Sequence, residues 1–229
     1  MKKVVGFIFF SYSLISFTTC IAQVYPDAGS WNTFNLEVKI NKRLSAQFTE
    51  ELRFKENFSR LNLLYTNAGL EYRVLKNLKA AFVYRFINKY QDENYFSLRH
   101  RLMLDVSAKK KYKKVDFAYR FRLQAEEQDM YSSVNGRIPE WYWRNKLTAK
   151  YDLDKPYTPY ASVEFRYQIR DVQNIESDHT WHRTRWVAGV DYKKNDYSTF
   201  GIYYLIQHEY NVKSPQAQYI IGLEYSLTL

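Results

Sequence analysis

Four histidines, His100, His179, His182 and His208, are the chain's candidates for general acid–base or metal chemistry. His182 and His208 are the most suggestive, because Asp178, His179 and Glu209 lie close to them in sequence. An imidazole paired with a carboxylate is the minimum a hydrolytic site needs. No G-x-S-x-G or H-E-x-x-H pattern accompanies them. Zinc is the other use for two imidazoles. A hairpin turning at Lys193–Asp196 sets His182 opposite His208 in one register, whereas a shift of two residues puts Ile206 there instead. The simpler account is that both rings stand beside Trp181 and Tyr210 as amphipathic groups at a membrane–water boundary. No cofactor is expected, no catalytic residue is assigned, and His182 and His208 stand as the candidate metal pair.

Arginine is the richer signal. Arg85, Arg99, Arg101, Arg120, Arg122, Arg144, Arg166, Arg183 and Arg185 all fall on the polar side of alternating stretches, as do Lys39, Arg53, Arg73, Lys79, Lys146, Lys150 and Arg170. The acids on the same side are fewer: Glu37, Glu51, Glu71, Asp105, Asp116, Glu164, Asp191, Glu209 and Glu224. A wall with surplus guanidinium attracts anions, so one expectation is a pore preferring anionic or polar solutes. The other is a closed interior in which Arg, Glu and Tyr form a packed hydrogen-bonded network.

The elements that hold these residues read as strands. Alternation of period two recurs at Trp31–Ile40, Leu44–Phe54, Leu61–Val74, Leu78–Tyr90, Tyr95–Ser107 and Val115–Gln124. It continues at Trp141–Tyr151, Tyr157–Arg170, Trp181–Tyr192, Tyr197–Tyr210 and Gln216–Leu229. Phe82, Tyr84 and Phe86 share one face with Arg85 on the other; Phe117, Tyr119, Phe121 and Leu123 stand back to back with Arg120 and Arg122. Glu50 breaks the rule by joining Phe48 and Leu52 on the apolar side, through a bulge or by facing lipid. Compact turns alternate with longer loops, as in bacterial membrane barrels. Ala125–Glu140, acidic at its start, is the longest loop, and Asp171–Thr180 is acidic too. They could meet cations bridging lipopolysaccharide, or simply be solvated. An even strand count is expected, twelve with Gln23–Gly29 supplying a short strand that turns at Asp27–Gly29, or ten; threading of that segment through the lumen is a further option.

The N-terminus reads as a secretory leader, with Lys2 and Lys3 before the apolar run Val4–Phe17 and Ala22 before the cut. Residues 1–22 are the expected signal peptide and 23–229 the expected barrel. Cys20 is the chain's lone cysteine, in a poor lipobox context, and cleavage after Ala22 removes it. Export argues against nucleic acid as the partner of a chain with formal charge +10. Twenty-two tyrosines, fifteen phenylalanines and five tryptophans suit interfacial belts, and the negative mean hydropathy follows when alternate residues face lipid. The closing run Ala217–Leu229 places Tyr219, Ile221, Leu223, Tyr225, Leu227 and Leu229 on one face. It resembles the C-terminal sorting strand of Gram-negative outer-membrane proteins, which implies the barrel-assembly machinery as a partner, with outer-membrane lipid and lipopolysaccharide around it.

Several short pieces share an order with one family: Trp31, E-L-R-F at Glu51–Phe54, Y-R-F at Tyr84–Phe86, R-H-R-L at Arg99–Leu102, Y-R-F-R-L-Q at Tyr119–Gln124 and R-T-R-W at Arg183–Trp186. The chain resembles an uncharacterised outer-membrane β-barrel family, domain of unknown function 2490. That resemblance implies an all-β, antiparallel, up-and-down transmembrane barrel and brings no activity with it. The expected roles are a closed structural barrel or a small channel, with an outer-membrane lipid or peptide hydrolase acting at its rim as the alternative; the oligomeric state stays open.

Overall fold

Residues that alternate in polarity close here into a single ring of strands. The computed structural model describes residues 25–91, 95–128, 138–171, 178–212 and 214–229. The first six strands are β1 (Tyr25–Lys39), β2 (Leu44–Lys55), β3 (Arg60–Leu75), β4 (Leu78–Tyr90), β5 (Phe96–Tyr112) and β6 (Val115–Gln128). Five follow: β7 (Glu140–Tyr151), β8 (Tyr157–Arg170), β9 (Thr180–Lys193), β10 (Ser198–Glu209) and β11 (Gln216–Thr228). Each pairs antiparallel with its sequence neighbour, and β1 closes the barrel by pairing parallel to β11.

The count of eleven corrects the expected twelve or ten. An up-and-down chain with an odd number of strands must bring its first and last strands together in the same direction. Asp27–Gly29 is not a turn; it continues β1 and pairs with Gln218–Ile220, so Tyr25–Gly29 neither forms a separate strand nor threads the lumen. The leader, the proposed cut after Ala22 and Gln23 lie outside the described residues.

At one end, hereafter the turn end, tight connections are organised by side chains that mimic backbone acceptors. The Asn41 side-chain oxygen accepts from Arg43 and Leu44 N–H at 2.8 and 2.9 Å. That of Asn195 accepts from Tyr197 and Ser198 N–H at 3.0 and 2.7 Å. Ala108–Lys114, expected as a connection, is mostly strand: β5 and β6 run on until Tyr112 faces Val115. The longer loops join the strands at the opposite, loop end.

The outer wall is apolar as the alternation requires. Phe82, Leu104, Leu147, Trp186, Ile202 and Leu223 are each about half exposed. Phe121, Trp143, Tyr167 and Trp181 make successive edge-on ring contacts across β6 to β9 toward the loop end. Glu50 does face outward, and the nearby register shift falls at Arg53/Phe54 instead. Inside, Trp31, Leu205 and Ile220 make a small apolar cluster against Val187 and Tyr203. Tyr203 lies in register between Gly189 and Gly222. A Cβ at Gly222 would fall within the Tyr203 ring, so these glycines leave room for an aromatic to lie along the inner wall.

Candidate functional site: the barrel lumen

Register places the lumen's charges in rows across the strands. One row runs Asp105, Arg122, Arg144, Arg166, Arg183 and Glu209 over β5 to β10. Like charges directly opposite each other on neighbouring strands destabilise a sheet, yet four guanidiniums stand here side by side. Acids cap the two ends. Arg122 donates from Nε and Nη2 to the two oxygens of Asp105, both at 2.6 Å, and Arg183 pairs with Glu209. Glu164, in the adjoining row, accepts from Arg144, from Arg120 Nη2 at 2.8 Å and from Arg185 Nη1 at 3.4 Å.

Arg166 is left over. No ion pair holds it among the described residues; its guanidinium lies 3.9 Å over the Tyr142 ring, and its buried Nε has no hydrogen-bond partner. Arg85 is similar, 3.5 Å over Tyr65, with Nε donating to the neutral Asn67 Oδ1 at 2.6 Å. Arg53 stacks 3.6 Å over Trp31 and pairs with Glu51. Cation–π contact disperses a guanidinium's charge without cancelling it.

Toward the loop end Glu126 accepts from Arg101 Nε at 2.8 Å and approaches Arg99 Nη1 at 3.6 Å. Glu140 takes the Tyr142 hydroxyl and the Gln128 amide. Toward the turn end Glu71 pairs with Lys79, while Glu224 accepts from Asn35 Nδ2 at 2.7 Å. The arginines expected on the polar face, all but Arg73 and Arg170, line one cavity of about 1060 Å³ together with Glu51, Glu71, Asp105 and Glu164. Its lining reaches from Asp27 and Asn57 near the loop end to Tyr160 and Glu224 in the turn-end half. Asp116 is exposed beside the turn and outside that lining, and Arg170 is displaced by a register shift into line with outward-facing Trp141.

Glu126, Glu140 and Lys89 were missed. The first two sit in what reads as a loop, although continuing Gln124–Glu126–Gln128 by twos exposes Glu126; Lys89 follows Arg85 and Ile87 by the same parity.

The histidine pair does not form. Thr184, not His182, is opposite His208. A register shift between Arg166 and Tyr167 makes His182 the extra residue on β9, and it packs edge-on to Tyr142 at 6.2 Å, whereas His208 pairs with Ala217 on β11. The bulge lies against β8 alone; the β9–β10 ladder is regular from Thr199↔Lys193 to Glu209↔Arg183, two residues away from the register that would pair the imidazoles, and the turn's spacing does not distinguish the two registers. Among the described residues no three of His, Cys, Asp and Glu gather as a metal site.

Fold and lumen together define a porin-like closed β-barrel. A family model described as Protein of unknown function (DUF2490) matches residues 28–218, and the chain belongs to that family. No curated protein matches it. Among solved structures, the NanC porin in a rhombohedral crystal form aligns with a TM-score of 0.52 and 12% identity, over 89% of this chain and 99% of that one. At that identity the similarity bears on the fold.

Proposed function

We propose that the chain is an outer-membrane barrel whose lumen is a narrow, anion-preferring passage for small solutes. Residues 1–22 are the leader that exports it, the turn end is periplasmic, and the C-terminal strand β11 presents the apolar face that barrel-assembly machinery takes up. The apolar outer wall meets outer-membrane lipid and lipopolysaccharide. The observation that carries the passage is the row Arg122, Arg144, Arg166 and Arg183, whose charge is matched by acid only in part. A solute anion entering the lumen supplies the missing countercharge.

A closed structural barrel is the second reading. It is favoured by the low exposure of Arg122 (8%), Arg144 (7%) and Glu164 (6%) at mid-lumen. The porin-like fold and the separation of His182 from His208 support reading the chain as a non-enzyme.

Reversal potentials of purified protein in a planar bilayer under a salt gradient test the proposal. Anion preference is expected, weakening as the Debye length falls from about 10 Å at 0.1 M salt to about 3 Å at 1 M. Cation preference overturns the assignment, and absence of conductance selects the closed barrel.

A further inference from the structure

Charge is nearly absent from the outer wall. On the described strands Lys110, Glu127 and Arg170 face outward, each within two residues of a strand end where water is near. Glu50 stands at the middle of β2, in register with Phe34 on one side and Thr66 on the other. It accepts the Thr66 hydroxyl at 2.7 Å, which leaves most of a carboxylate's acceptor positions unfilled. On the neighbouring strand Ser30 and Asn32 also face outward, linked to each other at 3.3 Å through Asn32 Nδ2. Ionisable groups at this depth rarely face lipid; they find partners, because acyl chains offer none.

This polar patch ends a groove of about 650 Å³ across the β11–β1 seam. One side is an aromatic row in strict register, Tyr157, Tyr192, Phe200, Tyr225 and Phe34. The other is aliphatic, with Val190, Ile202, Leu223 and Leu52. Ring centroids lie 5.0 Å apart for Tyr157–Tyr192 and 4.8 Å for Phe200–Tyr225, so the aromatic row is continuous beside the aliphatic one.

We propose that this wall is the interface between two copies of the chain. The inference rests on the membrane placement proposed above and not on conduction. Both copies insert the same way up, so the two-fold axis runs along the barrel axis and residues meet at equal depth. Asn32 is one step along the strands from the Phe34–Glu50 pair and shares the groove with Glu50. The patch thus carries both the donors, Asn32 and Ser30, and the acceptor, Glu50, that an isologous contact requires. The aromatic and aliphatic rows supply apolar surface for the rest.

Cysteine cross-linking in native membranes tests it, with the parent, whose lone cysteine is Cys20, setting the background. Asn32→Cys is expected to become mostly disulfide-linked dimer, and Leu147→Cys, outward on β7 across the barrel, to stay at background. Native mass spectrometry of the detergent-extracted parent is expected to give twice the chain mass. Glu50→Leu should move it to the monomer while a heat-modifiable gel band shows the barrel intact. A parent that is monomeric, or is found with a retained lipid or a different protein in place of a copy, overturns the proposal. Equal cross-linking of the two cysteine variants does the same. Recovery of the parent in the soluble fraction instead overturns the membrane placement itself.

Discussion

Arg122 and Asp105 show what a single residue can be asked to do in this lumen. Their bidentate bond spans directly opposed positions on β5 and β6, and both side chains are about nine-tenths buried. Truncating Arg122 to Ala leaves a carboxylate without its partner, and breaking such a pair costs about 3–5 kcal/mol. The expected result is an earlier urea transition for the barrel in micelles, and much less loss when Asp105→Asn is made as well. Gly189 tests packing at the same scale. A Cβ there would lie 2.6 Å from Tyr203 Cβ and 2.7 Å from the Ile202 carbonyl oxygen. Backbone cannot swing aside as a ring tip can, so Gly189→Ala should destabilise by about 1–3 kcal/mol on the same urea assay. Parity was enough to put Arg85, Arg122 and Glu164 in the lumen. Nothing in the sequence could say that Glu164 would gather three arginines, because that depends on side chains reaching along and across strands.

At the scale of elements, strand positions were legible and strand ends were not. All eleven runs of alternation became strands, because a period of two with aromatic and β-branched residues has no helical competitor here. The ends failed where polarity rose on both faces. β6 runs on through Glu126 to Gln128, and β1 begins at Tyr25 with Ser30 and Asn32 facing outward, where an apolar pattern would have announced it. Bulges at His182 and near Arg170 are invisible for a different reason, since one inserted residue leaves the local alternation intact on each side. The outer face of β11 is the safest test of these assignments. Leu223 is half exposed on it, and Leu223→Arg at mid-depth should cost about 2–4 kcal/mol. Folded fraction in lipid vesicles, read as heat-modifiable mobility, measures this. Gly222→Ser makes a poor control despite its inward position, because the new side chain must displace the Tyr203 ring. Serine in place of inward Gly201, whose Cβ would meet its nearest neighbours only at 3.3 Å, is the better one.

For the whole molecule, two properties follow from how the rows close: an odd ring with parallel β1 and β11, and a lumen whose acids are placed unevenly. Net inward charge, as counted from the sequence, treats every arginine alike and makes Arg120 and Arg122 natural targets for altering selectivity. The structure ranks them differently. Arg122 is matched by Asp105, and Arg120 contacts Glu164, which it shares with Arg144 and Arg185, so each has an acid within 3 Å to offset part of its field. Arg166 forms no ion pair among the described residues: the Tyr142 ring lies beneath it, cationic neighbours Arg144 and Arg183 stand in register on either side, and Glu126 and Glu209 act on it only from longer range. In the proposed passage its potential would meet a permeating ion with no contacting acid to cancel it. Arg166→Gln keeps a planar donor on a shorter side chain and removes the charge, and it also relieves repulsion within the row, so the barrel should fold at least as well as the parent. The expected result in a bilayer is that Arg166→Gln lowers the anion-to-cation permeability ratio more than Arg120→Gln or Arg122→Gln does. The gap should narrow as salt shortens the Debye length. Removing Arg122 instead frees Asp105 to attract cations, so its variant reports the pair rather than the arginine. Should all three substitutions shift selectivity equally, the lumen acts as a diffuse positive wall, and the assignment of Arg166 as its exposed charge is wrong.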